Sequence, residues 1–277
     1  MKVRMYNVGC GDCFCLRDRK GSLLVDFGTS NNRIDGHPRS DIFDVIISDL
    51  STIKSKNLLL THFHMDHLSG LLYMMKKKDI SVDFGKIYLP DVFSKKEMSR
   101  TLVLLLLADL LKESGLPSRQ VSLFALVDAL LENKQNVELL SRGKLFENKY
   151  QALWPDTDVI RKETDEVYNR ICEDGKFKEV MDVLLEFAEK LRLIVWSMTA
   201  EGNKPAETVE KETDSTASEL TEQPEVRQKI IRAYVYEREF RRIKALPDFK
   251  KLLAWLNENP INLRQFKHKI SIVFQNA

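Results

Sequence analysis

Three of the five histidines in this 277-residue chain fall within six residues of one another, beside an aspartate. They belong to the stretch LLLTHFHMDHLSGL, in which an apolar run leads into His62, His64, Asp66 and His67. In an extended segment side chains alternate, so His62 and His64 point to the same side. Two imidazoles on one side can bind one divalent metal ion such as zinc. The spacing therefore predicts a metal-binding loop at the C-terminal end of a strand.

Asp66 and His67 follow the alternating pair, where the chain turns into the next predicted helix. They can therefore face a second metal ion a few ångströms from the first. Two such ions, about 3.5–4 Å apart, can activate a bridging water and bind both the attacking and the leaving oxygen. The N-terminus of the following helix also favours an anionic substrate. A histidine cluster without a metal is the alternative, and the His-x-His-x-Asp-His spacing disfavours it.

Alternating strand and helix patterns surround this loop and predict an α/β layered fold with one mixed sheet. The predicted strands are Lys2–Val8, Asp12–Arg17, Ser22–Asp26, Asn57–Thr61 and Lys86–Leu89. The predicted helices on the outer face of the sheet are Ser40–Ile53 and Leu68–Lys78.

The sequence pattern becomes helical after Ser94. Residues 94–136 predict two helices that are split at Gly115–Pro117, and residues 164–251 are also predicted to be largely helical. Strand character returns at Tyr150–Trp154 and again at Lys269–Gln275. These helical stretches are expected to lie apart from the metal loop or to cover its mouth.

Two neighbouring segments have opposite charge. Residues 199–226 hold eight acidic residues and two lysines with few apolar side chains, which predicts a disordered linker. Residues 227–251 hold nine basic and three acidic residues on an amphipathic helical pattern. Such a helix can bind nucleic acid or an acidic partner, but a solvated face beside the acidic linker is the more common explanation.

Composition excludes several classes of protein. The net charge is +2, so no overall field favours nucleic acid or a membrane. The most apolar run, Leu102–Leu111, is about half of the ~20 residues that a bilayer span needs. The N-terminus has no secretory signal pattern, and a cytoplasmic protein without a membrane partner is expected.

The cysteines offer a second candidate site. Cys10 and Cys13 form a C-x-x-C pair, but no second pair is present to complete a structural zinc site. Cys13 and Cys15 alternate with Phe14 and Leu16 as in a strand, unlike the helical start of a thioredoxin-type motif. Reduced cysteines on a strand are therefore expected rather than zinc or redox chemistry.

The same residues carry a family resemblance. THFHMDH resembles the metal-binding motif of the metallo-β-lactamase fold. NVGCGDCFCLR, followed by SLLVDFG, is similar to the opening strands of the ComEC-like branch of that superfamily, although Asn7 stands where that branch usually has Asp. The resemblance implies an αββα sandwich, of which the N-terminal half is expected here, with large α-helical insertions.

The resemblance also implies roles for individual residues. The metal ligands would be His62, His64, Asp66 and His67, with Asp66 also catalytic. Asp26, Asp12 and Thr61 would support the ligand loop. The cofactor would be zinc, as two ions, with manganese or iron as alternatives.

Domain boundaries follow from weaker similarities. YQALWPD and HKISIVF resemble later strands of the branch, so a core of residues 1–93 is expected to continue at 144–157 and 267–277. Residues 94–143 and 158–266 would be helical insertions. The Thr-Gly-Asp motif and the later histidine of the family are not found, so the chain is expected to be the N-terminal portion of a longer protein or a degenerate member.

Two functions are consistent with this sequence. The first is a metal-dependent hydrolase acting on phosphodiester or nucleic-acid-type substrates, with an anionic substrate and nucleic acid as candidate partners. The second is a non-catalytic protein whose helical insertions bind a protein partner while the incomplete metal site is structural or vestigial.

Overall fold

A computed structural model of the chain describes residues 1–19, 21–77, 83–113, 123–133, 135–173, 175, 177–200, 242–243 and 245–258. Four sequence predictions fall wholly or mostly outside these residues. They are the split at Gly115–Pro117, the acidic linker, the basic helix and the strand Lys269–Gln275.

The centre of the fold is a six-stranded mixed sheet in the order β1-β2-β3-β6-β7-β8. Its strands are β1 (Lys2–Met5), β2 (Phe14–Arg17), β3 (Ser22–Val25), β6 (Lys56–Leu59), β7 (Ile87–Pro90) and β8 (Val137–Leu140). The first three strands pair antiparallel, whereas β3, β6, β7 and β8 run parallel to one another. The remaining strands form two small hairpins, β4 (Arg33–Ile34) with β5 (His37–Pro38) and β9 (Leu145–Phe146) with β10 (Tyr150–Gln151).

Helices cover one face of this sheet. The α-helices among the described residues are α1 (Arg39–Ser51), α2 (Met65–Lys76), α3 (Ser99–Glu113), α4 (Leu123–Glu132), α5 (Thr157–Cys172), α6 (Lys178–Ser197) and α7 (Pro247–Glu258). The main core joins strand residues such as Leu24, Leu58 and Ile87 to helical residues such as Leu102 and Leu184, all of which are fully buried. No helix in the described part of the chain is long and apolar enough to cross a membrane.

The opposite face of the sheet carries a smaller apolar cluster. Alternate strand residues, including Leu23, Tyr88 and Leu140, pack there against Phe146 and Ala152 of the β9–β10 region. Glu147 fixes this hairpin to the sheet, because its carboxylate accepts hydrogen bonds from Asn57 Nδ2 at 2.5 Å and from the Tyr88 hydroxyl at 2.6 Å.

The five predicted strands and two predicted helices of the first ninety residues are all present, with shifted ends. The largest shift at a helix start is in α2, which begins at Met65 instead of Leu68. The N-cap residue His64 is extended, with φ −79° and ψ 150°, and the helical turn starts directly after it. Asp66 and His67 therefore belong to the first turn of a helix, and not to the loop that precedes it.

Two features of the later chain differ from expectation. The sequence predicts a helical insertion over residues 94–143, whereas Val137–Leu140 forms β8 and pairs in parallel with β7. The predicted strand Tyr150–Trp154 is reduced to Tyr150–Gln151, which pairs with β9 instead of the central sheet. Both are short, only partly apolar stretches, which periodicity alone does not separate from helix ends or loops.

Candidate metal centre

The predicted ligand loop lies at the carboxyl ends of parallel strands β3 and β6. Asp26 directly follows β3, and Thr61 to His64 lie between β6 and α2. Open α/β sheets bind ligands at this edge because the loops that follow neighbouring strands converge there. Asp26 has a positive φ of 55°, so the chain turns sharply at the point where its carboxylate meets the loop.

Three of the four predicted ligands converge on one point. The donor atoms of His62, Asp66 and His67 all lie within 4.8 Å of one another. The His62 and His67 ring centroids are 3.7 Å apart, and His67 Nε2 is 3.7 Å from an Asp66 carboxylate oxygen. His64 is outside this group, and its buried ring packs edge-on against His62 with centroids 4.8 Å apart.

Asp26 orients His67 and Thr61. Its carboxylate, in a residue only 2% exposed, accepts hydrogen bonds from Thr61 N at 2.8 Å and from Thr61 Oγ1 at 2.7 Å. His67 Nδ1 lies 2.9 Å from the same carboxylate. Because an ionised carboxylate only accepts, we assign the proton of the neutral His67 ring to Nδ1, which leaves the Nε2 lone pair for a cation.

Thr61 extends this orientation to His62. The Thr61 hydroxyl gives its proton to Asp26 and lies 3.0 Å from His62 Nδ1. We therefore assign the His62 proton to Nδ1, which donates to the Thr61 oxygen and leaves Nε2 as the acceptor. One buried carboxylate thus sets the same tautomer in both rings.

The charge around His67 raises the pKa of its imidazole above the usual value. Burial of the ring opposes the protonated form, but the hydrogen bond to Asp26 and the charges of Asp26, Asp66 and Asp12 outweigh it. The same carboxylates that attract a proton attract a divalent cation, so the two compete for His67.

Asp12 reaches the same site from the loop before β2. Its carboxylate is 3.6 Å from His67 Nδ1, and its backbone N–H donates to the Asp66 carbonyl at 3.3 Å. Asp12, Asp26 and His67 form a second group with all donor atoms within 4.8 Å of one another. Asp12 and Asp26 therefore adjoin the Nδ1 side of the imidazole, while Asp66 adjoins the Nε2 side.

A close backbone crossing holds the segment after β3 against the first turn of α2. Phe27 N donates to the His67 carbonyl at 2.7 Å, and the Phe27 carbonyl accepts from Gly70 N at 2.8 Å. A Cβ on Gly28 would lie 2.6–2.7 Å from backbone atoms of Asp66, His67 and Leu68. Only glycine fits at position 28, a requirement that the sequence pattern alone does not reveal.

The cysteine pair does not join the cluster. Cys13 is 1% exposed, and burial, followed by the negative groups around it, raises the pKa of its thiol. Cys10 is exposed, and both are free thiols. Among the described residues, no group with metal-ligand geometry includes a cysteine.

The donor set fits a borderline-soft divalent cation. Imidazole nitrogens with one carboxylate oxygen are ligands of zinc, and also of iron and manganese. Such an ion would be held by His62, Asp66 and His67, because the Nε2 atom of each of the two imidazole rings carries a lone pair.

Comparison with known proteins gives one match. Residues 7–86 match the family model of the metallo-beta-lactamase superfamily. Searches of curated proteins and of solved structures gave no significant match. The matched range runs from the loop before β2 to the residue before β7 and includes every predicted site residue. The family model describes the superfamily as a whole and names no branch within it. Residues 7–86 are therefore similar to the metallo-beta-lactamase superfamily, and they lie within a mixed α/β fold.

Proposed function

We propose that this protein is a metal-dependent hydrolase whose centre holds zinc as two ions and whose substrates are phosphodiesters, including nucleic-acid-type substrates. The observation that carries the proposal is the convergence of His62, Asp66 and His67 donor atoms within 4.8 Å, next to a buried aspartate that orients the rings. The superfamily match over residues 7–86 supports metal-dependent hydrolysis in general.

Each residue has a distinct part in this proposal. The bound cation supplies Lewis-acid activation of water and stabilises developing negative charge. The clustered donors provide three protein ligands, the number typical of catalytic zinc, and in this proposal His64, whose ring centroid is 4.8 Å from that of His62, is assigned to the second ion. The Asp66 side chain is 39% exposed, so its carboxylate can accept a proton from water that enters from solvent.

A phosphodiester suits the electrostatics of this edge. The first turn of α2 contains Asp66 and His67, so the partial positive charge of the helix N-terminus lies at the site. A cation and a helix N-terminus both favour an anionic substrate over a neutral one.

The test is turnover of bis(4-nitrophenyl) phosphate by the full 277-residue chain loaded with zinc or manganese. The variants Asp66→Ala and His67→Ala should each lower kcat/KM by orders of magnitude, because the water that the metal activates would be lost. His37→Ala and Asp158→Ala replace exposed residues of the same types in the β4–β5 hairpin and in α5, and should keep the activity. Cys13→Ser should also stay close to the parent activity.

Equal turnover by the parent chain and by both ligand variants would contradict a hydrolytic role for this cluster. Full metal loading without turnover would favour the second candidate, a protein in which the centre is structural. That candidate draws support from the helices α3 to α6, which lie outside the matched range.

A further inference from the structure

Ser69 makes an unusual pair of hydrogen bonds beside the metal centre. It lies in α2, two residues after His67, and is 5% exposed. Its hydroxyl accepts a hydrogen bond from Thr29 N at 2.8 Å and donates one to the Thr29 carbonyl at 2.9 Å. One side chain thus satisfies both backbone polar groups of a residue that is completely buried.

Thr29 belongs to the segment that connects Asp26 with the rest of the site. It is the third residue after Asp26, and the hydroxyl of Thr29 donates to the Cys10 carbonyl at 3.4 Å. Ser30 N donates to the same carbonyl at 2.8 Å, so this segment also holds the loop that carries Asp12. Ser69 therefore joins α2 to both of the segments that bring carboxylates to His67.

Residues of the metal centre lie on both sides of this contact. Asp66 and His67 are on the helical side, and Asp26 is on the strand side, with 2.9 Å between His67 Nδ1 and the Asp26 carboxylate. Backbone hydrogen bonds of Phe27 hold the two sides together at one end, and Ser69 holds them at the other. Without the Ser69 hydroxyl, a buried N–H and a buried carbonyl would lose their partner, which favours a shift of the two segments relative to each other.

We propose that Ser69 is a positioning residue of the metal centre, which fixes the first turn of α2, and with it Asp66 and His67, against the segment that bears Asp26. This inference rests on the proposed function, because it requires that the cluster bind a metal ion. Its effect passes through ligand geometry, since the Ser69 hydroxyl is engaged with Thr29 and not with the ligands.

A hydrogen bond with a purely structural role would lower stability and leave metal binding unchanged. Ser99 provides the matched control. It is 3% exposed, and its hydroxyl donates to the Lys96 carbonyl at 2.6 Å and contacts Glu189 in the helical layer. Ser99→Ala therefore removes a buried hydroxyl of similar bonding outside the metal centre.

The experiment compares the 277-residue chain with its variants Ser69→Ala, Ser69→Thr and Ser99→Ala. Zinc affinity is measured by competition with a chromogenic chelator, and ligand geometry by the visible absorption bands of the cobalt(II)-loaded proteins. Ser69→Ala should weaken zinc binding by about 10- to 100-fold, the range typical for loss of a residue that orients metal ligands, and should alter the cobalt bands. Ser69→Thr keeps a hydroxyl and should retain the parent affinity and spectrum, as should Ser99→Ala.

The outcomes separate the two proposals. Parent affinity and an unchanged cobalt spectrum in Ser69→Ala would overturn the role of Ser69 and leave the metal centre intact. The inference would also be overturned if Ser69→Ala failed to fold while Ser99→Ala folded. The Ser69 hydroxyl would then stabilise the fold as a whole and not the metal centre in particular. A parent chain that binds neither zinc nor cobalt would overturn both the role of Ser69 and the proposed function.

Discussion

At the scale of single residues, Asp26 decides how the histidine loop is presented. It is nearly inaccessible to solvent. Its carboxylate is hydrogen-bonded to Thr61, which lies 35 residues later in the sequence, and to His67, which lies 41 residues later. The orientation of both rings therefore depends on contacts between a strand end, a loop and a helix. A metal-ligating histidine is generally fixed in this way by a partner at its other nitrogen.

Thr61→Val should weaken zinc binding by about tenfold, because the hydroxyl that joins Asp26 to His62 Nδ1 is lost while the shape of the side chain is kept. Thr61→Ser keeps the hydroxyl and should bind zinc like the parent chain. Competition with a chelator measures both variants. Identical affinities for the valine and serine variants would show that Thr61 does not orient His62.

The residue types of the site could be predicted from the sequence, but their partners could not. His62, His64, Asp66 and His67 stand out by spacing alone, and the resemblance points to Asp26, Asp12 and Thr61. The local pattern gives no distance between Asp26 and His67, and it assigns His64 the same role as His62. The structure places His64 beside the three-residue group, where its ring packs edge-on against that of His62.

At the scale of elements, the site depends on how closely the segment after β3 approaches α2. Gly28 faces the backbone of Asp66 and His67, and Gly70 faces the Phe27 ring, which would lie 2.5 Å from an added Cβ. These glycines allow the backbones to touch where any side chain would separate them. The sequence shows glycines near both motifs, but their role appears only when the strand and the helix are seen together.

Gly28→Ala should lower zinc affinity by at least about tenfold, because the added methyl group pushes the first turn of α2 away from Asp26. Overpacking of this kind also costs about 1–3 kcal/mol of stability, so binding is measured at a temperature where the variant is folded. Gly21→Ala is the control, since its Cβ would first meet the Ser55 side-chain oxygen at 3.3 Å, far from the centre. Equal zinc affinity in the two variants would contradict the importance of this close approach.

The β9–β10 hairpin offers a prediction that concerns stability alone. Glu147→Ala removes the acceptor shared by Asn57 and Tyr88 and should lower the free energy of unfolding by about 1–3 kcal/mol. Glu173→Ala changes an exposed residue at the end of α5 and should stay within about 0.5 kcal/mol of the parent. Urea denaturation compares the two, and coincident unfolding curves would show that Glu147 does not fix the hairpin.

At the scale of the whole molecule, the matched superfamily range and the later helices share one core. Residues 7–86 contribute β2, β3, α1, β6 and α2, whereas β7, β8 and the helices from α3 onward follow in sequence. Leu58 from the first part and Leu102, Leu184 and Leu191 from the second belong to the same buried cluster. The described helices are therefore packed on the sheet that carries the metal centre.

The sequence predicted the α/β class because the strand and helix patterns alternate clearly over the first ninety residues. It did not predict that β8 extends the sheet, because a four-residue stretch with three apolar residues after a long helical pattern resembles the end of a helix. Its place beside β7 is set by pairing with a strand about fifty residues earlier, which local pattern does not reveal.

The most direct test of the account is the zinc content of the full chain after removal of loosely bound metal, compared with the triple variant His62→Ala, Asp66→Ala and His67→Ala. The parent chain should retain at least one zinc ion per molecule and unfold at a higher temperature with zinc than with a chelator, because a ligand that binds only the folded state stabilises it. The triple variant should retain none and show no such shift. Equal zinc content in the two chains, or none in the parent, would contradict a metal centre at this cluster.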